Sequence, residues 1–263
     1  MAHQMKSLHC TASIVIYNNP PQMLRRAIQS LLSCSLDIEL HIVDNSPTQS
    51  LKQTLIDLPI KYHFYGLNAG YGRGHNMALE KCAGSDYHII MNPDVFITSP
   101  AIETLAEFMD ANSDIGMAAP KVLNEDGTIQ FLNKRRPTVL DLFARRFIPK
   151  SFHCFLESRM DHYEMKDVGY DDACEVEAVS GCFMFCRTEV LKKVCGFDDR
   201  FFMYFEDFDL SRKIQLAGFR TVFYPYAIVT HLWERASHKS LKMTWVFILS
   251  MYRYFNKWGW LWF

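Results

Sequence analysis

The 263-residue sequence predicts an α/β protein built on a mostly parallel sheet with helices on both faces. Three observations predict it. Strand-like apolar runs alternate with helix-like amphipathic ones through the first half of the chain. The strand-like runs end on polar residues, as strands do when their carboxyl ends line a ligand crevice. The composition, 49% apolar and 22% charged, is ordinary for a globular chain with one sizeable core or at most two small ones.

The elements follow in order. TASIVIY (11–17) is a β-rich run. NNPPQMLRRAIQSLLSC places prolines at a helix start and Leu24, Ile28, Leu31 and Leu32 on one face. IELHIVDN (38–45) and IKYHFY (60–65) are the next strands. GLNAGYGRG reads as a loop and HNMALEKCA as a helix. YHIIM (87–91) is a fourth strand, SPAIETLAEFMDAN a helix and IGMAAP a further short strand. Residues 133–172 break the pattern. They are basic, then mixed and aperiodic, and read as a long excursion, partly helical, over the site or against a membrane. CEVEAVSGCFMFCR (174–187) returns to strand character, and TEVLKKV is a short helix. An aromatic, then acidic segment leads into an amphipathic helix ending at Gly218, and RTVFYPYAIVTH closes with strand signals. The expected organisation is one domain over 1–240, in two halves at about 11–120 and about 121–240, and a tail from 241 to 263.

Charge and cysteine usage narrow the function classes. A formal net charge of -1 argues against a polyelectrolyte binder, so nucleic acid is not an expected partner. The eight cysteines form no C-x-x-C pair, and most sit in apolar surroundings such as GCFMFC. They read as small buried hydrophobes of a reducing cytosol. The opening MAHQMKSLHC lacks the apolar core of a secretory signal. From Arg235 onward there are five Lys or Arg residues and no acid, and all five tryptophans fall at 233–262. Leu241, Trp245, Ile248, Tyr252 and Phe255 recur at helical spacing. This tail reads as an amphipathic anchor for anionic membrane, too short in its apolar stretch to span a bilayer. A helix packed on the core, or a dimer face, is the alternative.

Four stretches carry candidate chemistry. IIMNPDVFI (89–97) ends a buried strand on Asn92-Pro93-Asp94. A carboxylate there can ligate Mg²⁺ or Mn²⁺, and His231, at the end of AIVTH, can add an imidazole. A turn former is the plainer reading of a lone Asp after Pro. Asp44-Asn45 offers polar groups to a nucleobase edge, though VDN is also an ordinary turn. NAGYGRGHN has glycines at 70, 72 and 74, which let backbone approach a ligand, with Arg73 to answer phosphate charge. It fits neither phosphate-loop consensus, Met77 standing where the last glycine belongs. YFEDFDLSRK sets Glu206, Asp207 and Asp209 before a helix, where capping alone would favour acids. Glu206-Asp207 also sits between aromatics, where a carboxylate can be held dry and basic.

Taken together, SIVIYNN, VDNSP, LNAGYGRGHNMAL, MNPDV, VSGCFMFCR, GFDDRFFMYFEDFDLSRKI and THLWERASHKS, in that order, resemble the large family of inverting, metal-dependent glycosyltransferases with the GT-A fold. Within it they are similar to rhamnosyltransferase-like bacterial members. The resemblance implies a mostly parallel Rossmann-like sheet with the nucleotide-binding half at about 11–120, a smaller antiparallel acceptor half at about 121–240 and a C-terminal helical tail. It implies that Tyr17, Asn18, Asp44 and Asn45 hold base and ribose, and that Asn68, Gly70, Arg73, Asn76 and Asn92 line the nucleotide pocket. Asp94 and His231 would hold Mn²⁺ or Mg²⁺, although Asn92 replaces the first acid of the family's usual D-x-D. Gly181, Cys182 and Trp233 would border sugar and acceptor. Asp207, paired with Glu206, would be the general base, with Arg212 orienting the pair. The implied donor is dTDP-L-rhamnose and the implied acceptor a lipid-linked glycan of O-antigen or capsule assembly. The expected place is the cytoplasmic membrane face, with homo-oligomers possible. A transferase of another nucleotide sugar, a nucleotidyltransferase and a non-catalytic sugar-nucleotide-binding module are the rivals. A nucleotidyltransferase would open with a basic Gly-rich loop where Asn18-Asn19-Pro20-Pro21 stands.

Overall fold

The computed structural model describes residues 8–82, 84–147, 157–232 and 241–263. Among the described residues nine strands form one sheet: β1 (His9–Ile16), β2 (Asp37–Asp44), β3 (Ile60–Phe64), β4 (Tyr87–Met91), β5 (Val95–Ile97), β6 (Ile115–Leu123), β7 (Cys174–Glu175), β8 (Phe183–Arg187) and β9 (Arg220–His231). The order is β3-β2-β1-β4-β8-β6-β9-β5, with β7 also on β9. β1 pairs in parallel with β2 and β4, β2 with β3, and β6 with β9. β8 runs antiparallel to both β4 and β6, so six strands share one direction and β5, β7 and β8 oppose them. The carboxyl ends of β1 to β4, β6 and β9 therefore emerge on one edge.

The helices are α1 (Pro21–Leu32), α2 (Tyr71–Leu79), α3 (Ala101–Ala111), α4 (Val139–Phe147), α5 (Glu157–Tyr163), α6 (Thr188–Lys193), α7 (Glu206–Leu216) and α8 (Leu241–Trp258). Strand residues alternate between two cores because side chains one apart point to opposite faces. Ile89 belongs to the core shared with α1 and α3, through Leu24, Ile28, Leu31, Ile102 and Leu105. Ile90 faces the core that holds Val190, Leu191, Leu210 and Ile214 of α6 and α7. A third, aromatic cluster joins Leu142 of α4, Phe201 and Phe205, and Tyr254 and Phe255 of α8.

Several boundaries differ from the sequence reading. The helix expected after GLNAGYGRG begins inside it, at Tyr71. β6 runs to Leu123 rather than stopping at Pro120, because the ladder shifts register between Pro120 and Lys121, where a proline's missing N–H does no harm. The apolar residues after Asp94 form β5, a short strand on the β9 edge. The tail helix is packed on the molecule: Ser250, Tyr254 and Phe255 are buried, whereas Trp245 is 71% exposed. No described helix is long and apolar enough to cross a membrane.

Candidate active site

The polar notch after β4 is fixed by the reversal that follows it. β5 pairs antiparallel with β9, setting Val95 opposite His231. The Leu232 N–H donates to the Asp94 carbonyl at 3.0 Å. The Asp94 Oδ1 then lies 3.3 Å from His231 Nε2, both side chains largely buried. Gln130, which no sequence motif singles out, sets the imidazole. Its Nε2 donates to the His231 carbonyl at 2.7 Å and to Asn124 Oδ1 at 2.8 Å, so its Oε1 faces His231 Nδ1 at 3.0 Å as acceptor. Nδ1 thus carries a proton and Nε2 faces Asp94; with Nε2 deprotonated this is the arrangement of a metal-ligating histidine. A carboxylate and a neutral imidazole fit a divalent ion that draws its other ligands from phosphate and water. Among the described residues no third His, Cys, Asp or Glu joins them.

The nucleotide-side candidates divide. Tyr17 is 50% exposed beyond β1. Asn18 takes a left-handed φ of 52° and donates its N–H to Ser46 Oγ at 2.9 Å, tying the ends of β1 and β2 together. Asp44 is buried, its carboxylate accepting from the Tyr62 hydroxyl and from the Ser46 N–H at 2.8 Å. Asn45 is also buried and donates its Nδ2–H to the Gly70 carbonyl at 3.1 Å, leaving Oδ1 without a partner. Asn68 Oδ1 accepts the Gly70 N–H at 3.0 Å. Both asparagines shape the loop that precedes α2.

Three of these candidates meet protein partners here. Close protein packing by itself demands the glycines of NAGYGRG. Gly70 has φ of 95°, and a Cβ there would run into the Phe202 carbonyl; one at Gly74 would meet Val15 at 2.7 Å. Asn76 does not line the crevice. Both its amide protons go to the Phe197 carbonyl and Asp199, and its Oδ1 accepts the Phe197 N–H at 2.8 Å. Arg73 leans the same way, 4.0 Å from Asp199 Oδ2. α2 turns the two side chains, three apart, onto one face.

The acid pair enters from the other side of the same edge. Tyr204 and Phe205 both sit at positive φ, 69° and 67°. For two bulky residues this conformation costs on the order of 1–3 kcal/mol each. The aromatic cluster holds them, Phe205 packing 5.4 Å from Phe247 and 5.5 Å from Tyr254, ring centre to ring centre. The turn delivers Glu206 and Asp207 at the first residues of α7. Asp207 Oδ2 accepts the Gly181 N–H at 3.1 Å, and Oδ1 its neighbour Phe208 N–H at 2.9 Å. Burial, then the charge of Asp207, pushes the Glu206 carboxyl well above its usual range. Burial raises Asp207 too, opposed by its backbone hydrogen bonds. Two adjacent buried carboxyls do not both ionise readily; the backbone N–H groups assign the charge to Asp207 and the proton to Glu206.

Gly181 and Cys182 join the two acids into one crevice. The Cys182 carbonyl accepts the Asn92 N–H at 2.9 Å, two residues before Asp94, while Gly181 holds Asp207. Tyr71, missed in the sequence although it is the one aromatic of its glycine loop, donates its hydroxyl to the Gly181 carbonyl. Burial pushes the Cys182 thiol up to about 12, and the charges of both Asp94 and Asp207 add to the shift. Arg212 is another correction. It lies five residues beyond Asp207, roughly 140° around the helix, and stacks on Trp258 of α8 at 4.6 Å instead of orienting the acid pair. Trp233 lies outside the described residues, as does most of THLWERASHKS.

Beside Glu206 and Asp207 opens a cavity of about 270 Å³, walled in part by Lys134, Leu142, Arg145 and Tyr163. From the excursion expected at 133–172, the described residues Lys134, Leu142, Arg145 and Tyr163 thus reach the site.

Comparison with known proteins bears on this geometry. The model of Glycosyl transferase family 2 matches residues 11–194, and that of Glycosyl transferase family group 2 matches residues 145–261. An N-acetylglucosaminyl-diphospho-decaprenol L-rhamnosyltransferase of Mycobacterium tuberculosis is 25% identical over 237 residues, covering 83% of this chain and 74% of the relative. The rhamnosyltransferase WbbL of Escherichia coli K12 is 24% identical over 224 residues, covering 81% and 79%. Among solved structures, GalNAc-T7 with UDP, GalNAc and Mn²⁺ superposes with a TM-score of 0.64 at 15% identity, covering 86% of this chain and 43% of that one. TarS of S. aureus gives 0.59 at 17%, covering 85% and 36%. These two likenesses concern the fold, which is that of GT-A glycosyltransferases. With the family model matched over more than half its length, the chain belongs to glycosyl transferase family 2.

Proposed function

We propose that this glycosyltransferase works by inversion, with a divalent metal, and moves L-rhamnose from dTDP-L-rhamnose to a hydroxyl of a lipid-linked acceptor in surface-glycan (O-antigen or capsule) assembly. The observation that carries the reading is the bridge of Gly181 and Cys182, which sets Asp207 beside the strand end bearing Asp94. Rhamnose is favoured because two relatives are both named as rhamnosyltransferases. A lipid-linked acceptor is favoured by the diphospho-decaprenol in one of those names. The surface supports it too. Of the exposed large apolar residues, Phe143 lies on α4, Leu241, Trp245, Leu249 and Tyr252 lie on α8, and Trp260 to Phe263 follow it. That concentration, on a stretch without acids, suits peripheral contact with an anionic membrane at its cytoplasmic face.

Asp94 and His231 would hold the metal. When bound, such an ion spreads the negative charge that grows on the departing diphosphate. Tyr17 and the loop shaped by Asn45 and Asn68 would receive the nucleotide. Asp207 takes the proton of the acceptor hydroxyl as its oxygen attacks the anomeric carbon on the face opposite the diphosphate. One displacement inverts the configuration, and no covalent intermediate forms. A base so placed contributes about 10²–10⁴-fold.

A thermal-shift screen of nucleotide sugars, with and without Mn²⁺, tests the reading. dTDP-L-rhamnose with Mn²⁺ is expected to raise Tm by mass action, and Asp94→Ala to abolish the metal-dependent part. A shift given only by UDP- or GDP-sugars would remove the donor assignment. An equal shift in Asp94→Ala would remove the metal site.

A further inference from the structure

The cavity beside the acid pair holds more charge than proton abstraction requires. Besides Glu206 and Asp207 it is lined by Lys134, Arg145 and Tyr163, with apolar surface from Leu142 and Phe247. Three features of this lining point to an anion. Tyr163 is buried and its hydroxyl has no hydrogen-bond partner. Arg145 is exposed at the cavity and meets no carboxylate at ion-pairing distance among the described residues, yet its charge reaches Asp207, Lys134 and Tyr163. Lys134 is buried, its ammonium bonded to the Phe131 carbonyl and 3.5 Å from Glu164 Oε1, which leaves one of its three protons to give. A guanidinium, an ammonium and a phenol around one space are the donors that suit phosphate oxygens, and the planar guanidinium can take two of them at once.

Two of the helices that wall the cavity, α4 and α8, also carry exposed apolar side chains. Leu142 of α4 and Phe247 of α8 face inward, while Phe143 and Trp245 of the same helices are 53% and 71% exposed. A ligand with an anionic head and an apolar chain matches this order of surfaces: head inside, chain outside along α4 and α8.

We infer that this cavity is the acceptor subsite, and that Arg145 and Tyr163, assisted by Lys134, hold the diphosphate of a polyprenyl-linked acceptor sugar whose hydroxyl reaches Asp207. The inference rests on the lipid-linked acceptor proposed above and assigns the residues that recognise it. The distinction it adds is chemical: the acceptor is chosen by its diphosphate and not by its sugar alone.

Calorimetric titration of the full chain with farnesyl diphosphate, in excess dTDP to occupy the donor side, tests the subsite directly. Farnesol is the uncharged control. The wild-type chain is expected to bind farnesyl diphosphate at least about tenfold tighter than farnesol, and Arg145→Gln to weaken it by about 10- to 100-fold, the range of a hydrogen bond to a charged group. Arg145→Lys should recover part of the loss. Tyr163→Phe removes only the unpartnered hydroxyl, so it is expected to keep or raise Tm while weakening farnesyl diphosphate about 2- to 10-fold. Equal affinity for diphosphate and alcohol in the wild type, or unchanged affinity in Arg145→Gln, overturns the inference. Transfer to a lipid-linked sugar that is indifferent to Arg145 removes this subsite and spares the function. Arg145-dependent binding in a chain that glycosylates no lipid-linked acceptor supports the subsite and removes the function.

Discussion

Lys257 holds the end of α8 against the helix that carries the acid pair, and its removal has a calculable cost. Asp209 on α7 is 0% exposed. Its Oδ1 accepts from Lys257 Nζ at 2.6 Å and from Trp258 Nε1 at 2.8 Å, while its Oδ2 has no partner. The same ammonium reaches Asp198 at 2.7 Å, but Asp198 keeps Arg200, the main cause of its depressed pKa. Lys257→Met therefore strands one carboxylate, that of Asp209. Breaking a buried pair by removing one partner costs about 3–5 kcal/mol. Lys257 is 22% exposed, so the lower end applies, about 3 kcal/mol, or about 6–12 °C in Tm at 2–4 °C per kcal/mol. Urea unfolding followed by circular dichroism should show the midpoint falling with the slope unchanged. Lys257→Met combined with Asp209→Asn removes the stranded charge yet keeps an acceptor for Trp258, so most of the loss should return. A single variant that loses less than about 1 kcal/mol, the worth of a surface pair, would refute the reasoning. So would a double variant no more stable than the single.

Three further outcomes are expected. Asp207→Asn should bind dTDP normally and lose about 10²–10⁴-fold in kcat; near-normal turnover would end its assignment as the base. Glu206→Gln copies the neutral form of that side chain and should keep transfer within a few-fold near neutrality. Because folding raises the Glu206 pKa above its ordinary 4.5, the stability it contributes is present below that value and lost as pH rises. The Tm of Glu206→Gln should therefore gain on the wild type from pH 5 to pH 8, and parallel curves would contradict the burial argument. Replacing Trp245 with Ser should leave Tm unchanged, since the side chain is 71% exposed, and reduce flotation on vesicles containing anionic lipid; equal flotation would place the membrane contact elsewhere.

Periodicity and polar strand ends made the sheet legible, because both are local. The run of 87–91 coincides with β4, and the segment ending at His231 with β9. The proximity of Asp94 to His231 was less visible, because it depends on β5, three residues too few to show a period. The glycine loop misled for a related reason. A glycine demanded by Phe202 or Val15 looks, in one dimension, like a glycine demanded by a ligand. Asn76 and Arg212 were misplaced by motif resemblance, which carries no helical angle. Gln130, Lys134, Arg145 and Tyr163 come from the aperiodic excursion and the segment before it, where nothing but tertiary packing selects them.

The contact between Gly70 and Phe202 has a mechanical corollary. The Tyr71 N–H donates to the Phe202 carbonyl at 2.9 Å, and the missing side chain of Gly70 lets the two strands of backbone lie flush. The loop proposed to receive the nucleotide and the turn that bears the proposed base are consequently riveted into one part. Whatever jostles the first displaces the second, so the seating of the donor and the aim of the proton acceptor are a single adjustment of the chain.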